Sequence, residues 1–475
     1  MFDQSFSSKN IEAIFNIENR KGHIDLIRMP QPYREVIAEI RACRATLKGF
    51  RKKKQKDWDE SEKAKYKQNQ ERLSQLLKDK EAVLQRVFED IERQINDHAF
   101  SFQISVNDYG GKQYFSINRN NWPQFYAMKV LQRNLNHLFN VEMLNRHTVM
   151  ANLKVLLNTE LPFYIIRTDV SGFFESIPQQ RLLRLIDRNS LLSTKAKSMV
   201  RKVLLEYEAT KDTTRVQAGK GVPRGIGISS PLSEIFMDHL DKKIRERQEV
   251  MFYARYVDDI FIVLSSLGGA SDLQSYYSGL EKDFARYGLT LQSVGSNKCK
   301  LVDKFYKKNG NALSDDLTYL GYHLWMEQNK NMVTTIFGLS DHRKDTIKQR
   351  IDHVFRHFAN MVKVNPTQAR NDLVDGLNLV TGNIRLSKAK SGVKVGFYYN
   401  NDLLDREEDF TELQNHLDRQ VLKIPANLFG NDADRTKYEN LLKAYLQTIQ
   451  LRDRWNQRKM YDIGLERIKT IEQWL

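Results

Sequence analysis

Cysteine is nearly missing from this chain, with only Cys43 and Cys299 in 475 residues. Two cysteines so far apart form neither a CxxC pair nor a disulfide framework. That excludes a stapled secreted domain, disfavours a structural zinc site, and points to a reducing compartment, read here as the cytoplasm. Proline is also scarce, at 9 residues, and no repeat or low-complexity segment stands out, so a long disordered linker is not expected. No apolar run approaches the roughly 20 residues of a membrane-crossing helix. The start, Met1-Phe2-Asp3-Gln4-Ser5-Phe6, lacks the basic and then apolar run of a signal peptide, so no membrane partner is expected. Acidic charge is the other shortage. Against 75 Lys and Arg stand 59 Asp and Glu, a formal charge of +16 with a pI near 9.5, as in proteins that lie along phosphate backbones.

At 475 residues and 41% hydrophobic content, the chain has material for two or three domains. Residues 33–97 are rich in helix formers. They carry the basic run Arg51-Lys52-Lys53-Lys54 and then Leu73, Leu76, Leu77, Val83, Leu84, Val87, Phe88, Ile91 and Ile95 at helical spacing, the pattern of an amphipathic helix or helical hairpin whose stripe packs as core. Phe102–Val106 and Tyr114–Ile117 alternate like paired strands across a turn ending in Gly110-Gly111. From about 342 to 380 another helical pattern places Ile347, Ile351, Val354, Phe355, Phe358 and Met361 on one face. A strand-like piece, Val393–Tyr398, precedes a final helical region from about 435 that carries Tyr438, Leu441, Leu442, Tyr445, Ile449 and Trp455.

The chemistry concentrates in three places. Tyr253-Ala254-Arg255-Tyr256-Val257-Asp258-Asp259-Ile260-Phe261-Ile262-Val263 reads as a hairpin with two acids at its tip. Hard divalent cations want oxygen ligands, and magnesium bound to substrate phosphates usually takes only one or two carboxylates from the protein. Upstream, Phe163-Tyr164-Ile165-Ile166-Arg167-Thr168-Asp169 reads as a buried strand delivering a third carboxylate at its end, followed by Phe173-Phe174. Between them lies a glycine-rich loop, Gly221-Val222-Pro223-Arg224-Gly225-Ile226-Gly227. An amphipathic helix follows it, with Ser230 as cap and Pro231 at the first helical position.

The order of these blocks resembles the polymerase core of reverse transcriptases. Asp169 sits in the first palm motif, Gly221–Gly225 in the second and Tyr256–Asp259 in the third. Tyr287–Leu291 with Asn297–Leu301 resembles the fourth, and Leu317–Tyr322 resembles the primer grip. The resemblance covers about residues 100–325. It implies an α+β, right-hand polymerase fold: an N-terminal helical region (1–99), fingers and palm with an antiparallel sheet backed by helices (100–325), a helical thumb (326–385), and a mainly helical C-terminal extension of unknown role (386–475).

The same resemblance implies the site. Asp169 and Asp258 would bridge two Mg2+ ions, with Mn2+ as a substitute, Asp259 would assist, and the Val170 backbone carbonyl would be a further ligand. Phe174, five positions after Asp169, matches the bulky side chain that lies beneath the nucleotide sugar and excludes a 2′-hydroxyl, which implies deoxynucleotides and a DNA product. Arg224, beside Gly225, departs from the glutamine common at this point and would face the nucleotide. Lys112 and Arg119 are the finger residues for the triphosphate, and Lys298, with Lys300 as its rival, is the proton donor to pyrophosphate.

The wording of Pro162-Phe163-Tyr164-Ile165-Ile166-Arg167-Thr168-Asp169 and Phe173-Phe174-Glu175-Ser176-Ile177-Pro178 is similar to that of bacterial retron, abortive-infection and other defence-associated reverse transcriptases. The terminal additions point to the defence-associated, unknown-group clade, with type 3 systems as the suspected kin. The implied partners are an RNA template, a non-coding RNA from the protein's own locus, together with deoxynucleoside triphosphates, the DNA product and a second reverse transcriptase or effector protein. Two other readings stay open: a template-independent DNA polymerase on the same fold, and a catalytically idle RNA-binding scaffold.

Overall fold

A computed structural model describes the chain except Met1 and the stretches 22–28, 51–57, 142–143, 160–162, 304–316, 330–331, 386–393 and 425–432. The basic run Arg51–Lys54 and Val393 lie outside the described residues, as does the side chain of Tyr438. The chain divides into two compact units. One comprises residues 1–142, 172–239 and 287–289, and the other 143–171, 240–286 and 290–475.

In the first unit the expected helical hairpin consists of Gln31–Phe50 and Glu60–Asn96. A reciprocal capping box of Asp59 and Glu62 starts the second helix. Ile40, Cys43, Leu47 and Leu76 form one cluster between them. Further along the stripe Phe88, Ile91 and Ile95 are buried, and the Phe88 ring meets Phe15 of the helix Ser8–Arg20 at 5.4 Å. The stripe is core. The strands Ile104–Tyr109 and Lys112–Ile117 pair antiparallel across Gly110-Gly111, both at positive φ (56° and 74°), as a two-residue type I′ turn requires.

The second unit is built on a four-stranded antiparallel sheet in the order Val250–Tyr256, Asp259–Leu264, Tyr164–Asp169, Lys300–Asp303. Alternation assigns its faces. Ile165, Phe261 and Val263 share one face and pack with Val149, Leu153 and Leu157 of the helix Arg146–Leu157. Thr168 points to the other, where its hydroxyl lies 2.8 Å from Tyr277 of the helix Leu273–Ala285. Each fully buried apolar side chain contributes about 1.5–3 kcal/mol. A slip of one residue would turn the whole set outward, so the register is firmly specified.

After Leu317–Tyr319, the strands Tyr322–Asn329 and Met332–Leu339 complete a second sheet that the reading of the sequence did not anticipate. The helix Asp341–Met361 buries Ile347, Ile351, Val354, Phe355 and Phe358, the face expected of it, and packs with Pro366–Thr381. The final region is not one helical stretch. It runs as Ala433–Gln447, Leu451–Gln457 and Leu465–Glu472. Arg458, left-handed at φ 51°, ends the middle helix, and Met460–Tyr461 then pairs parallel with the strand Asn383–Arg385. Helices and mostly antiparallel sheets together make the class α+β. No helix among the described residues is long and apolar enough to cross a membrane.

Candidate active site

The strand Tyr164–Asp169 ends on Asp169, and the hairpin after it in sequence turns through Val257-Asp258, so that Asp259 opens its second strand. Register then does what sequence distance cannot, because Asp169 and Asp259 are direct cross-strand partners. Both lie on the face of Ile165, Phe261 and Val263, at the end where the apolar packing stops. The Asp258 backbone carbonyl accepts a hydrogen bond from the Val170 N–H at 3.0 Å. On the other side of the strand, Ser171 N–H donates to Thr290 and Gln292 N–H to the Asp169 carbonyl (2.8 and 3.0 Å), which makes Val170 and Leu291 a non-hydrogen-bonded pair. The N–H and carbonyl of one strand residue point the same way, so the Val170 carbonyl is directed to the side of Asp258.

Cations of the chain surround these acids. Lys298 Nζ lies 3.1 Å from Asp169 Oδ2, and Gln292 Nε2 donates to Oδ1 at 3.3 Å. Arg167, two residues before Asp169 and on the same face, donates to Asp259 Oδ1 at 3.0 Å and to the Lys298 carbonyl at 2.7 Å. Burial pushes the Asp259 carboxyl above its ordinary value. Asp258 and Asp169 push it the same way, while Arg167 and Lys298 oppose the shift. Lys300 is exposed on the edge strand, as the cross-strand partner of Arg167. Arg167 was quoted in a sequence motif without a role, and Gln292, one residue past the motif Tyr287–Leu291, was not singled out. For Arg167 the available signal was period two, which puts it on the face of Asp169.

Do these residues suit a divalent cation? Their donors are all hard oxygens, and burial together with the nearby Asp258 and Asp169 disfavours the charged Asp259 carboxylate, which a bound cation would favour. Among the described residues, no three of His, Cys, Asp or Glu gather closely enough to hold an ion alone. Asp169 is engaged by Lys298 and Asp259 by Arg167. One or two carboxylates suffice when substrate phosphates complete the shell, so the donor set fits such an ion.

The remaining predicted residues belong to the first unit. Gly172, at φ 54°, starts the short helix Phe173–Ser176. Phe173 is buried and Phe174 half-buried, their rings 5.5 Å apart, so Phe173 is the core member of the pair. Arg224 forms a bidentate pair with Glu175 (Nε 3.1 Å, Nη2 3.0 Å), and its guanidinium lies over the Phe174 ring at 5.0 Å and the Tyr114 ring at 5.9 Å. The loop is sewn down by Val222 N–H to the Phe174 carbonyl (2.8 Å) and by Phe115 N–H to the Arg224 carbonyl (2.7 Å). Gly225 has φ 106°, and a Cβ there would meet the Phe115 carbonyl oxygen at 2.8 Å, so the close approach that demands glycine is to the hairpin strand. Lys112 and Arg119 are exposed at the two ends of that strand's neighbourhood. The helix after the loop begins at Ser229, one residue before the expected cap.

Residues 112–324 match the family described as reverse transcriptase (RNA-dependent DNA polymerase). The matched stretch therefore has the polymerase fold of a reverse transcriptase domain. Among solved structures, apo telomerase from Candida tropicalis truncated from its C-terminal domain is 14% identical and covers 52% of this chain and 56% of its own, with a TM-score of 0.33. Full apo telomerase from that species is 12% identical over 74% and 66%, at a TM-score of 0.35. Candida tropicalis telomerase in complex with a TWJ fragment of telomeric RNA is 11% identical over 80% and 75%, at 0.34. The chain thus spans less than two thirds of the first of these. A comparison with curated proteins gives no match.

Proposed function

We propose that this chain is an RNA-directed DNA polymerase that copies a dedicated non-coding RNA into cDNA during antiphage defence in the bacterial cytoplasm. The observation that carries the polymerase reading is the cross-strand pairing of Asp169 with Asp259, inside the stretch that matches the reverse transcriptase family. The defence reading rests on the wording of Phe173–Pro178 and on the helical additions at both ends.

In this reading Asp169, Asp258 and the Val170 carbonyl hold Mg2+, which Mn2+ can replace, and Asp259 assists. The bound ions would neutralise phosphate charge and favour ionisation of the primer 3′-hydroxyl as it attacks the α-phosphorus in line. The chain's own groups divide the rest. Lys298 holds a proton on Nζ for the departing pyrophosphate. Until substrate arrives, Lys298 and Arg167 compensate carboxylates that would otherwise repel one another. Phe174 offers its ring to the sugar and leaves no room for a 2′-hydroxyl. Arg224 and the Gly225 backbone border the nucleotide, and Lys112 and Arg119 take the triphosphate. A second reverse transcriptase or an effector protein would be a further partner.

The test is to purify the protein from cells carrying its native locus, sequence the bound RNA, and add labelled deoxynucleotides with magnesium, beside an Asp258→Ala, Asp259→Ala control. The expected result is DNA complementary to one bound RNA and absent from the control. Product without complementarity would replace this reading with untemplated synthesis, and bound RNA without product under any metal would replace it with a scaffold.

A further inference from the structure

The turn that carries Asp258 is held in a conformation its sequence resists. Tyr256 and Asp259 are paired, so Val257 and Asp258 alone make the turn, and Val257 sits at φ 61°. A β-branched side chain avoids that region because its Cβ crowds the neighbouring carbonyl, and such strain persists only where surrounding structure over-determines it.

Two bonds do so. The Asp258 carbonyl is taken by Val170 N–H, and the Val257 carbonyl accepts from Arg255 Nη1 at 2.7 Å. Arg255 is itself immobilised. It is 5% exposed, and its Nε reaches both oxygens of Asp241 (3.1 and 3.0 Å) while Nη2 reaches Oδ2 at 2.7 Å. Tyr253, on the same strand face two residues earlier, donates its hydroxyl to Asp241 Oδ1 at 2.6 Å. Asp241, 8% exposed, comes from the helix Ser229–Arg245. Burying an ion pair this deeply is a poor device for stability alone, since apolar replacements often serve as well. A planar guanidinium can grip a carboxylate with one edge and a carbonyl with its remaining donor, whereas an ammonium cannot reproduce that fork.

We propose that Asp241 and Arg255 are positioning residues: together they clamp the Val257 carbonyl and so keep the strained turn in the form that presents Asp258 for nucleotide transfer. The proposal rests on the polymerase reading above. Without the clamp, Val257 relaxes out of the left-handed region and the Asp258 carboxylate moves with it, while the surfaces that bind primer, template and nucleotide are left as they were.

Single-turnover extension by Asp241→Asn and Arg255→Lys, each alone and combined with Val257→Gly, tests this. The single variants should lower kcat roughly 10–100-fold, the scale of small misplacements at a reacting centre. They should leave KM for the nucleotide unchanged and raise the magnesium concentration needed for half-maximal rate. Glycine adopts the turn's φ without strain, so adding Val257→Gly should recover part of the lost kcat and restore the magnesium requirement. Tyr253→Phe, which removes one bond to Asp241, should shift both quantities the same way by less, and it keeps the question open to measurement should the others fail to fold. Unchanged kcat and magnesium requirement in folded variants would overturn the clamp. So would a loss that tracks thermal stability and that Val257→Gly does not recover. If Asp258→Ala extends primers as well as the unaltered chain, the polymerase reading fails instead, and the two failures are distinct.

Discussion

The two groups of candidate residues are held by different means. In the second unit Asp169, Asp258 and Asp259 are placed mainly by backbone, through strand register, a two-residue turn and hydrogen bonds at Val170, Ser171 and Gln292, with the buried Arg255–Asp241 pair bracing the Val257 carbonyl. In the first, Val222 N–H holds the Phe174 backbone, but the setting of its ring comes from side chains, a half-buried Arg224–Glu175 pair laid across it. A site built mainly from backbone yields when the sheet, or the brace on its turn, yields. A site built from side chains can be retuned one residue at a time. Chemistry that must not vary suits the first kind, and selectivity suits the second.

The contrast can be broken from either side. Asp169→Asn should cost the most, a loss of roughly 10²–10³-fold or more in kcat with RNA binding retained, because it removes charge where charge is needed and leaves the register intact. Primer extension beside a filter-binding assay checks both halves. Next, Lys298→Gln should slow extension by about 10²-fold, while Lys300→Gln, on the edge strand, leaves the rate nearly unchanged. Equal effects would erase the distinction that the 3.1 Å contact to Asp169 draws.

Smaller effects are expected in the first unit. Phe174→Ala should admit ribonucleotides, closing a sugar discrimination by roughly 10–200-fold. Glu175→Gln, which weakens the hold on Arg224, should close it only partly. Competition between deoxy- and ribonucleotides at one template position reads both, and a full loss in Glu175→Gln with none in Phe174→Ala would reverse the assignment. Last comes stability. Burial alone would raise Asp283, but Lys243, Arg247 and Arg286 hold its carboxyl below the ordinary value. A value depressed in the fold adds stability above the unfolded value, and that stability is lost as pH falls through the folded one. Asp283→Asn should therefore lower Tm near neutrality and scarcely change it in strong acid, which thermal melts across pH will show.

Local pattern was enough for much of this. Alternation and a terminal acid located the strand ending at Asp169. The run around Asp258-Asp259 located a hairpin, and helical spacing picked out Phe88, Ile91 and Ile95 as core. Partners distant in sequence were not legible. Nothing near Arg167 announces Asp259, 92 residues on, and nothing in Arg255 names the buried Asp241 on another element. The hairpin Tyr322–Leu339 was missed because no motif flagged it, and the breaks within the final helical region were not seen because a two-residue strand leaves no periodic signal. Positive φ at Val257 was equally invisible, since its sequence argues against it.

The most direct test of the central claim is extension of a DNA primer by one deoxynucleotide on a defined RNA template with magnesium, comparing the unaltered protein with Asp258→Ala, Asp259→Ala. The account predicts addition of the complementary nucleotide by the first and none by the second. Addition that ignores the template base, or that survives loss of both aspartates, would contradict it.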